Sequence, residues 1–199
     1  MADKYSLKKD GEKKLSADFK VKEFACKDGA DEILIAGGLV AKLQQIRDHF
    51  NRAVNINSGY RTVAHNKKVG GSPNSQHLLG MAADISIAGV TPLQIAQYAE
   101  YLLGKTTGGI GLYGTFVHID IRAARSRWDQ RSGSAVNVPD GFPGYTPARD
   151  DINVTIDNAY VINMLNDKAY WEDVLRGKTI PKPQNIKALI DKAYWLIHG

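Results

Sequence analysis

The sequence predicts an α+β domain, a small antiparallel sheet flanked by helices, with a short helical module after it. Three observations predict it. One segment repeats apolar residues at intervals of three and four, three others alternate apolar and polar residues over short runs, and a two-residue Gly-Thr step joins the last of these to a further short strand before it as a hairpin. In chain order, Leu39, Leu43, Ile46 and Phe50, with Val40 beside them, mark an amphipathic helix over 38–50. A short strand follows over 54–57 and is broken by Ser58-Gly59. Residues 82–87 form a second strand, with Ala83, Ile85 and Ile87 on one face and Ala82, Asp84 and Ser86 on the other. Thr91-Pro92 supplies an N-cap and a first-turn proline for a helix reaching about Leu103. Past Gly108-Gly109, strands over 110–113 and 116–122 flank Gly114-Thr115. The last strand points Val117, Ile119 and Ile121 one way, and Phe116, His118, Asp120 and Arg122 the other. That polar face carries too many functional groups to serve only as a solvated surface.

At 199 residues, the chain has room for one domain and a small appendage. Its hydrophobic fraction of 43% and charged fraction of 24% are those of a globular protein. A single cysteine, Cys26, excludes an intramolecular disulfide and any multi-cysteine metal site. Residues 1–18 are lysine-rich and weakly patterned, a loosely held lead-in to a domain spanning 19–128. Residues 129–150 are rich in Gly, Pro, Ser and Asp and read as a linker or long loop. Residues 151–199 show helical periodicity around Ala159, Ile162, Leu165, Ile186, Leu189 and Ile190. Within them Asp-Lys-Ala-Tyr-Trp occurs twice, at 167–171 and 191–195. Two helices packing equivalent aromatic pairs account for it; an aromatic surface for glycans or peptides is the alternative.

The charged start, without an apolar run, reads as having no secretory signal peptide, and no stretch nears the roughly 20 apolar residues of a membrane helix. No membrane insertion is therefore expected. A formal charge of +5 suits a polyanionic partner such as an anionic wall polymer, and equally suits a mildly basic protein with none. Zinc-finger spacing, a basic helix and an aromatic RNA-binding signature are missing from the sequence, so no nucleic-acid partner is expected.

Five histidines are candidates for chemistry. His49 ends the first helix, where a cation is favoured; His198 adjoins the end of the sequence; His65 suits a polar helix position. His77 and His118 differ, because each lies among small residues and acids. In Ser75-Gln76-His77-Leu78-Leu79-Gly80-Met81-Ala82-Ala83-Asp84, a loop histidine, a turn glycine and a strand carboxylate follow one another. Imidazole and carboxylate are ordinary zinc ligands, and His118 from the hairpin would complete a His-Asp-His set with a fourth position left for water, the pattern of a catalytic site. On spacing alone, a metal set and an ordinary polar strand face both remain open.

Three segments carry a resemblance: Ser58-Gly59-Tyr60-Arg61, the SxHxxGxAxD pattern from Ser75 to Asp84, and GGIGLYGTFVHIDIR from Gly108 to Arg122. Together they closely resemble the family of zinc D-Ala-D-Ala carboxypeptidases and L-alanyl-D-glutamate endopeptidases, peptidoglycan peptidases that share a hedgehog-type zinc core. The resemblance runs from about Phe19 to Trp128. It implies that His77, Asp84 and His118 bind Zn2+, that Arg61 points into the site, and that Ser75 lies beside the substrate; capping its loop is the alternative role of Ser75. It also implies an amide-bond hydrolase acting on peptidoglycan stem peptides, of carboxypeptidase or endopeptidase type.

The sequence departs from that family at one place. Where many members carry an acidic general base, three residues before the last histidine ligand, this chain has Thr115. Asp120, on the same strand face as His118, is the expected base; orienting a ligand or pairing with Arg122 is its alternative role. Arg61 would stabilise an oxyanion or hold a substrate carboxylate, or else tie its loop to an acid. The expected place of action is the bacterial cell wall, reached without a signal peptide as by a phage or prophage lysin. A non-catalytic, zinc-containing wall-binding domain is the competing function.

Overall fold

The computed structural model describes residues 2–145. The expected C-terminal helical module and its repeated pentapeptide lie outside the described residues. In chain order the elements are β1 (Asp3–Ser6), α1 (Leu7–Asp10), a 3-10 turn (Val21–Phe24), β2 (Glu32–Ile35), α2 (Gly37–Phe50), β3 (Val54–Ser58), α3 (Val63–Lys68) and a second 3-10 turn (Gln76–Leu79). There follow β4 (Ala82–Ile87), α4 (Pro92–Leu103), β5 (Gly109–Leu112), β6 (Val117–Asp120), β7 (Ser126–Asp129) and β8 (Val136–Asn137).

The α+β architecture matches the fold class the periodicities predict. Six strands form one sheet in the order β3-β4-β6-β5-β7-β8. Its pairings are antiparallel except β5 with β7, which run parallel. The sheet is thus mixed where the sequence predicts an antiparallel one. After the β5–β6 hairpin the chain turns back over 121–125 and lays β7 on the free edge of β5, in the same direction. The segment expected to be a linker therefore begins at the end of a sheet strand, and continues through β8 to Phe142, which is buried.

The lead-in also differs from expectation. Asp3 to Ser6 pair antiparallel with Glu32 to Ile35, and Ile33 and Ile35 are fully or almost fully buried. The alternation of Tyr5 and Ile33 with charged neighbours is too short to signal a strand unless its partner, some thirty residues away, is known.

Helix α2 buries Leu39, Val40, Leu43 and Ile46, the stripe its spacing predicts. Thr91 and Gln94 form a reciprocal capping box at the start of α4, with Pro92 in the first turn. Ile95, Ala96, Ala99 and Leu103 of α4 meet Ile85 and Ile87 of β4, Ile110 and Leu112 of β5, and Val117 and Ile119 of β6 in one apolar cluster. Each large side chain among them contributes about 1.5–3 kcal/mol by leaving water. This core lies on one face of the sheet, leaving the opposite face of β4 and β6 for polar groups.

Buried Arg127 ties the far edge to α4. It donates to Glu100 Oε2 at 2.6 Å and to the carbonyls of Gly104, Gly108 and Ser126. A guanidinium, with five donors, can join a helix end to a strand start in this way.

Candidate metal centre

The site is a consequence of strand register. Antiparallel pairing of β4 with β6 sets Asp84 directly opposite His118, so both side chains leave the same sheet face as near neighbours. His77 approaches from the 3-10 turn just before β4. Ser75 caps that turn by accepting from the His77 backbone N–H, and Gly80, with φ of 64°, closes it. The ring nitrogens of His77 and His118 and a carboxylate oxygen of Asp84 all lie within 4.8 Å of one another, and all three residues are buried.

The partners of the outer ring nitrogens determine which nitrogens face inward. His77 Nδ1 lies 2.7 Å from the carbonyl of Gly59, which can only accept, so His77 donates there and presents a lone pair at Nε2. His118 Nε2 lies 3.0 Å from Asp120 Oδ2 and donates to it, leaving a lone pair at Nδ1. These two lone pairs stand 3.1 Å apart, with Asp84 Oδ1 at 3.2 Å from the first and 2.9 Å from the second. Three converging lone pairs repel unless a cation or added protons lie between them. A tetrahedral zinc at its usual bond lengths holds its ligands about 3.3 Å apart, close to the edges of this triangle. The residues therefore fit the metal.

The surrounding groups complete the electrostatics. Arg61 donates from Nε to Ser58 Oγ at 2.8 Å and from Nη2 to Asp84 Oδ2, so it does tie its loop to an acid while lining the cleft. Burial raises the Asp84 carboxyl, but without a metal, protons taken up by the facing nitrogens of His118 and His77 outweigh it and hold the pKa well below the ordinary carboxylate range. Burial lowers the His118 imidazolium, but bonding to Asp120 and Asp84 more than offsets this and leaves its pKa raised.

Asp120 is fully buried behind His118. Its Oδ1 accepts from the backbone N–H groups of Gly109 (2.9 Å) and Arg122 (3.0 Å), and both oxygens accept from the Arg122 guanidinium. Burial pushes its carboxyl up, but bonds from His118 and Arg122 dominate and hold it far below its usual value. The neighbouring strand makes room by glycine. A Cβ on Gly109 would stand 2.1 Å from Asp120 Oδ2, and one on Gly111 would stand 2.3 Å from the Trp128 ring.

The three ligand candidates form the floor of a cleft of about 630 Å³. Arg61 and Ser75 line it; Asp120 does not. His49 and His65 lie elsewhere, on α2 and α3. The cleft also uses residues that the sequence did not single out, among them Tyr113 and Trp128. Tyr113 stacks on Phe116 with ring centroids 4.2 Å apart and accepts from Trp128 Nε1 at 3.1 Å. The alternation of β6 does place Phe116 and Arg122 on the His118 face, but nothing in the sequence brings Trp128 beside it.

A mixed sheet bearing a buried His-Asp-His set at the floor of a cleft defines the class of a candidate metal-binding protein. The sequence model of the peptidase M15 family matches residues 14–120, more than half the chain. The chain belongs to the peptidase M15 family, whose metal is zinc. It is 34% identical over 83 residues to the probable peptidoglycan L,D-endopeptidase MepK of Haemophilus influenzae, covering 38% of this chain and 43% of that protein. The match thus spans less than half the length of that relative.

Proposed function

We propose that this chain is a zinc peptidase that hydrolyses an amide bond in peptidoglycan stem peptides, with His77, Asp84 and His118 as the ligands. The convergence of three lone pairs at the floor of a cleft carries the reading. Membership of the M15 family and the name of the Haemophilus relative support the substrate class. Of the two types expected from sequence, the endopeptidase is favoured by that relative's name.

Zinc, when bound, supplies activation of water and polarisation of the scissile carbonyl. The chain does the positioning. The Gly59 carbonyl and the Asp120 carboxylate fix the two imidazole tautomers, so that neither ring must reorient to bind. Arg61, held between Ser58 and Asp84, keeps a permanent positive charge at the cleft wall, where an oxyanion or a substrate carboxylate would be stabilised. In place of the general-base role expected from sequence, we assign Asp120 the orientation of His118. A buried carboxylate whose pKa is depressed is a weak base, and no lone pair of it faces the cleft.

A second reading is a zinc-containing domain that binds wall without cleaving it. One observation favours it: among the described residues lining the cleft, Asp84 is the sole carboxylate. Purified cell wall incubated with the protein, with and without chelator, separates the two. Newly freed amino groups that disappear with chelator are expected. Retention on wall with no amino groups released would leave the binding reading.

A further inference from the structure

Two arginines flank the candidate centre, and each is held by a carboxylate bonded to His118. Arg61 is held by Asp84, on the Nδ1 side of that ring, and Arg122 by Asp120, on the Nε2 side. The run Arg61–Asp84–His118–Asp120–Arg122 is therefore continuous. Its inner members are buried, while Arg122 keeps 31% of its side chain exposed and lines the cleft.

The Arg122 guanidinium is fixed in place. Its Nε donates to both oxygens of Asp120 at 2.9 Å, Nη2 donates to Oδ2, and its Cζ lies 5.9 Å from the centre of the Trp128 ring. Nη1 makes no hydrogen bond among the described residues. A guanidinium that spent all its donors on Asp120 would be a structural pin, as Arg127 is. This one keeps a donor edge, beside an aromatic wall, in a cleft whose one carboxylate is already a ligand candidate. Its loss of side-chain freedom is already incurred in the fold, so an anion binding there orders little that is not ordered.

We propose that Arg122 is a specificity-determining residue that binds a free carboxylate of the substrate, so that stem peptides with carboxylates are preferred over their carboxamide forms. The proposal rests on the peptidase reading for the identity of the peptide, but not for the existence of the anion site. Peptidoglycan stem peptides carry carboxylates beside their amide bonds, and replacing one by a carboxamide removes the charge while keeping shape and size. Asp120 then has two roles through its two neighbours. It orients His118 on one side and holds Arg122 on the other, which sets the distance between the scissile bond and the recognised carboxylate.

The test compares two probes, a stem tetrapeptide with its carboxylates free and the same peptide with them converted to carboxamides. Binding to the zinc-loaded full chain is measured by calorimetry, hydrolysis by amino-group release, and zinc content in every variant. The free-carboxylate peptide should bind wild type roughly ten- to a hundredfold more tightly, the range of a charge-assisted hydrogen bond. Arg122→Gln should cut that preference about tenfold by weakening the carboxylate peptide alone, and Arg122→Lys should restore part of it. Lys68→Gln, which removes one exposed positive charge from α3, should leave it unchanged. A structural role for Arg122 would lower binding of both peptides alike.

Equal binding of the two probes by wild type, binding of neither, or a preference undiminished in Arg122→Gln would each overturn the proposal. A preference cut in Arg122→Gln, with no hydrolysis of either peptide by wild type, would instead overturn the peptidase reading and keep the carboxylate site.

Discussion

His118 Nε2 donates to Asp120 Oδ2 at 3.0 Å, so the carboxylate nearest to the last candidate ligand in sequence lies behind that ring and not in the cleft before it. With Gly109 and Arg122 donating to the same carboxylate, every lone pair it could offer to water is directed into protein. Asp120→Asn replaces one acceptor oxygen by a donor amide in a nest of donors. Zinc affinity should fall by about 10–100-fold, as for other residues that orient a ligand histidine. Chelator competition measures it. Unchanged affinity with a turnover loss of about 10²–10⁴-fold would return Asp120 to the role of general base.

His77→Ala, Asp84→Ala and His118→Ala should each bring zinc well below one per chain. The three donor atoms lie within 4.8 Å of one another, and no other His, Cys, Asp or Glu among the described residues joins the group. Metal analysis of purified variants decides it, and full occupancy in any two of the three would remove the assignment.

Thr115 sits exposed in the β5–β6 turn, and its side chain makes no hydrogen bond among the described residues. Thr115→Ala should leave zinc content and wall hydrolysis within about twofold of wild type, as surface changes usually do. Parallel amino-group release assays compare the two proteins, and a loss beyond tenfold would give Thr115 a place in the chemistry.

Gly111→Ala should destabilise the protein by about 1–3 kcal/mol, the usual cost of forcing an extra methyl into a packed site. Its Cβ would meet the Trp128 ring at 2.3 Å, and that ring is tethered by the hydrogen bond from its Nε1 to the Tyr113 hydroxyl. Thermal melting reads the loss. A melting curve superimposable on wild type would mean that Trp128 moves freely.

Arg127→Met should cost roughly 3–5 kcal/mol in denaturant unfolding, because it removes the buried guanidinium that donates to Glu100 Oε2 and to the carbonyls of Gly104 and Gly108. Glu100→Gln with Arg127→Met should recover part of that loss. Equal stability of the single and double variants would show that Arg125, the Phe142 N–H and water satisfy Glu100 once Arg127 is gone.

Local pattern by itself determined the pieces of this protein that repeat within a few residues. The three- and four-residue spacing of Leu39, Leu43 and Ile46 specified α2. Thr91-Pro92 specified where α4 starts, and the alternation of Ala82 to Ile87 put Asp84 on the polar face. Residue chemistry carried the ligand candidates too, since the same alternation put His118 on the polar face of β6. What only the tertiary structure decided are relations between segments far apart in sequence. The pairing of β1 with β2, the parallel placement of β7 beside β5, and the arrival of Trp128 at the cleft each depend on closing a loop of many residues, which leaves no local periodicity to read. The role of Asp120 belongs with these. Alternation placed it on the His118 face, but the direction of its carboxylate depends on three donors from β5, β6 and the chain beyond, and on a glycine at 109 that leaves room for it.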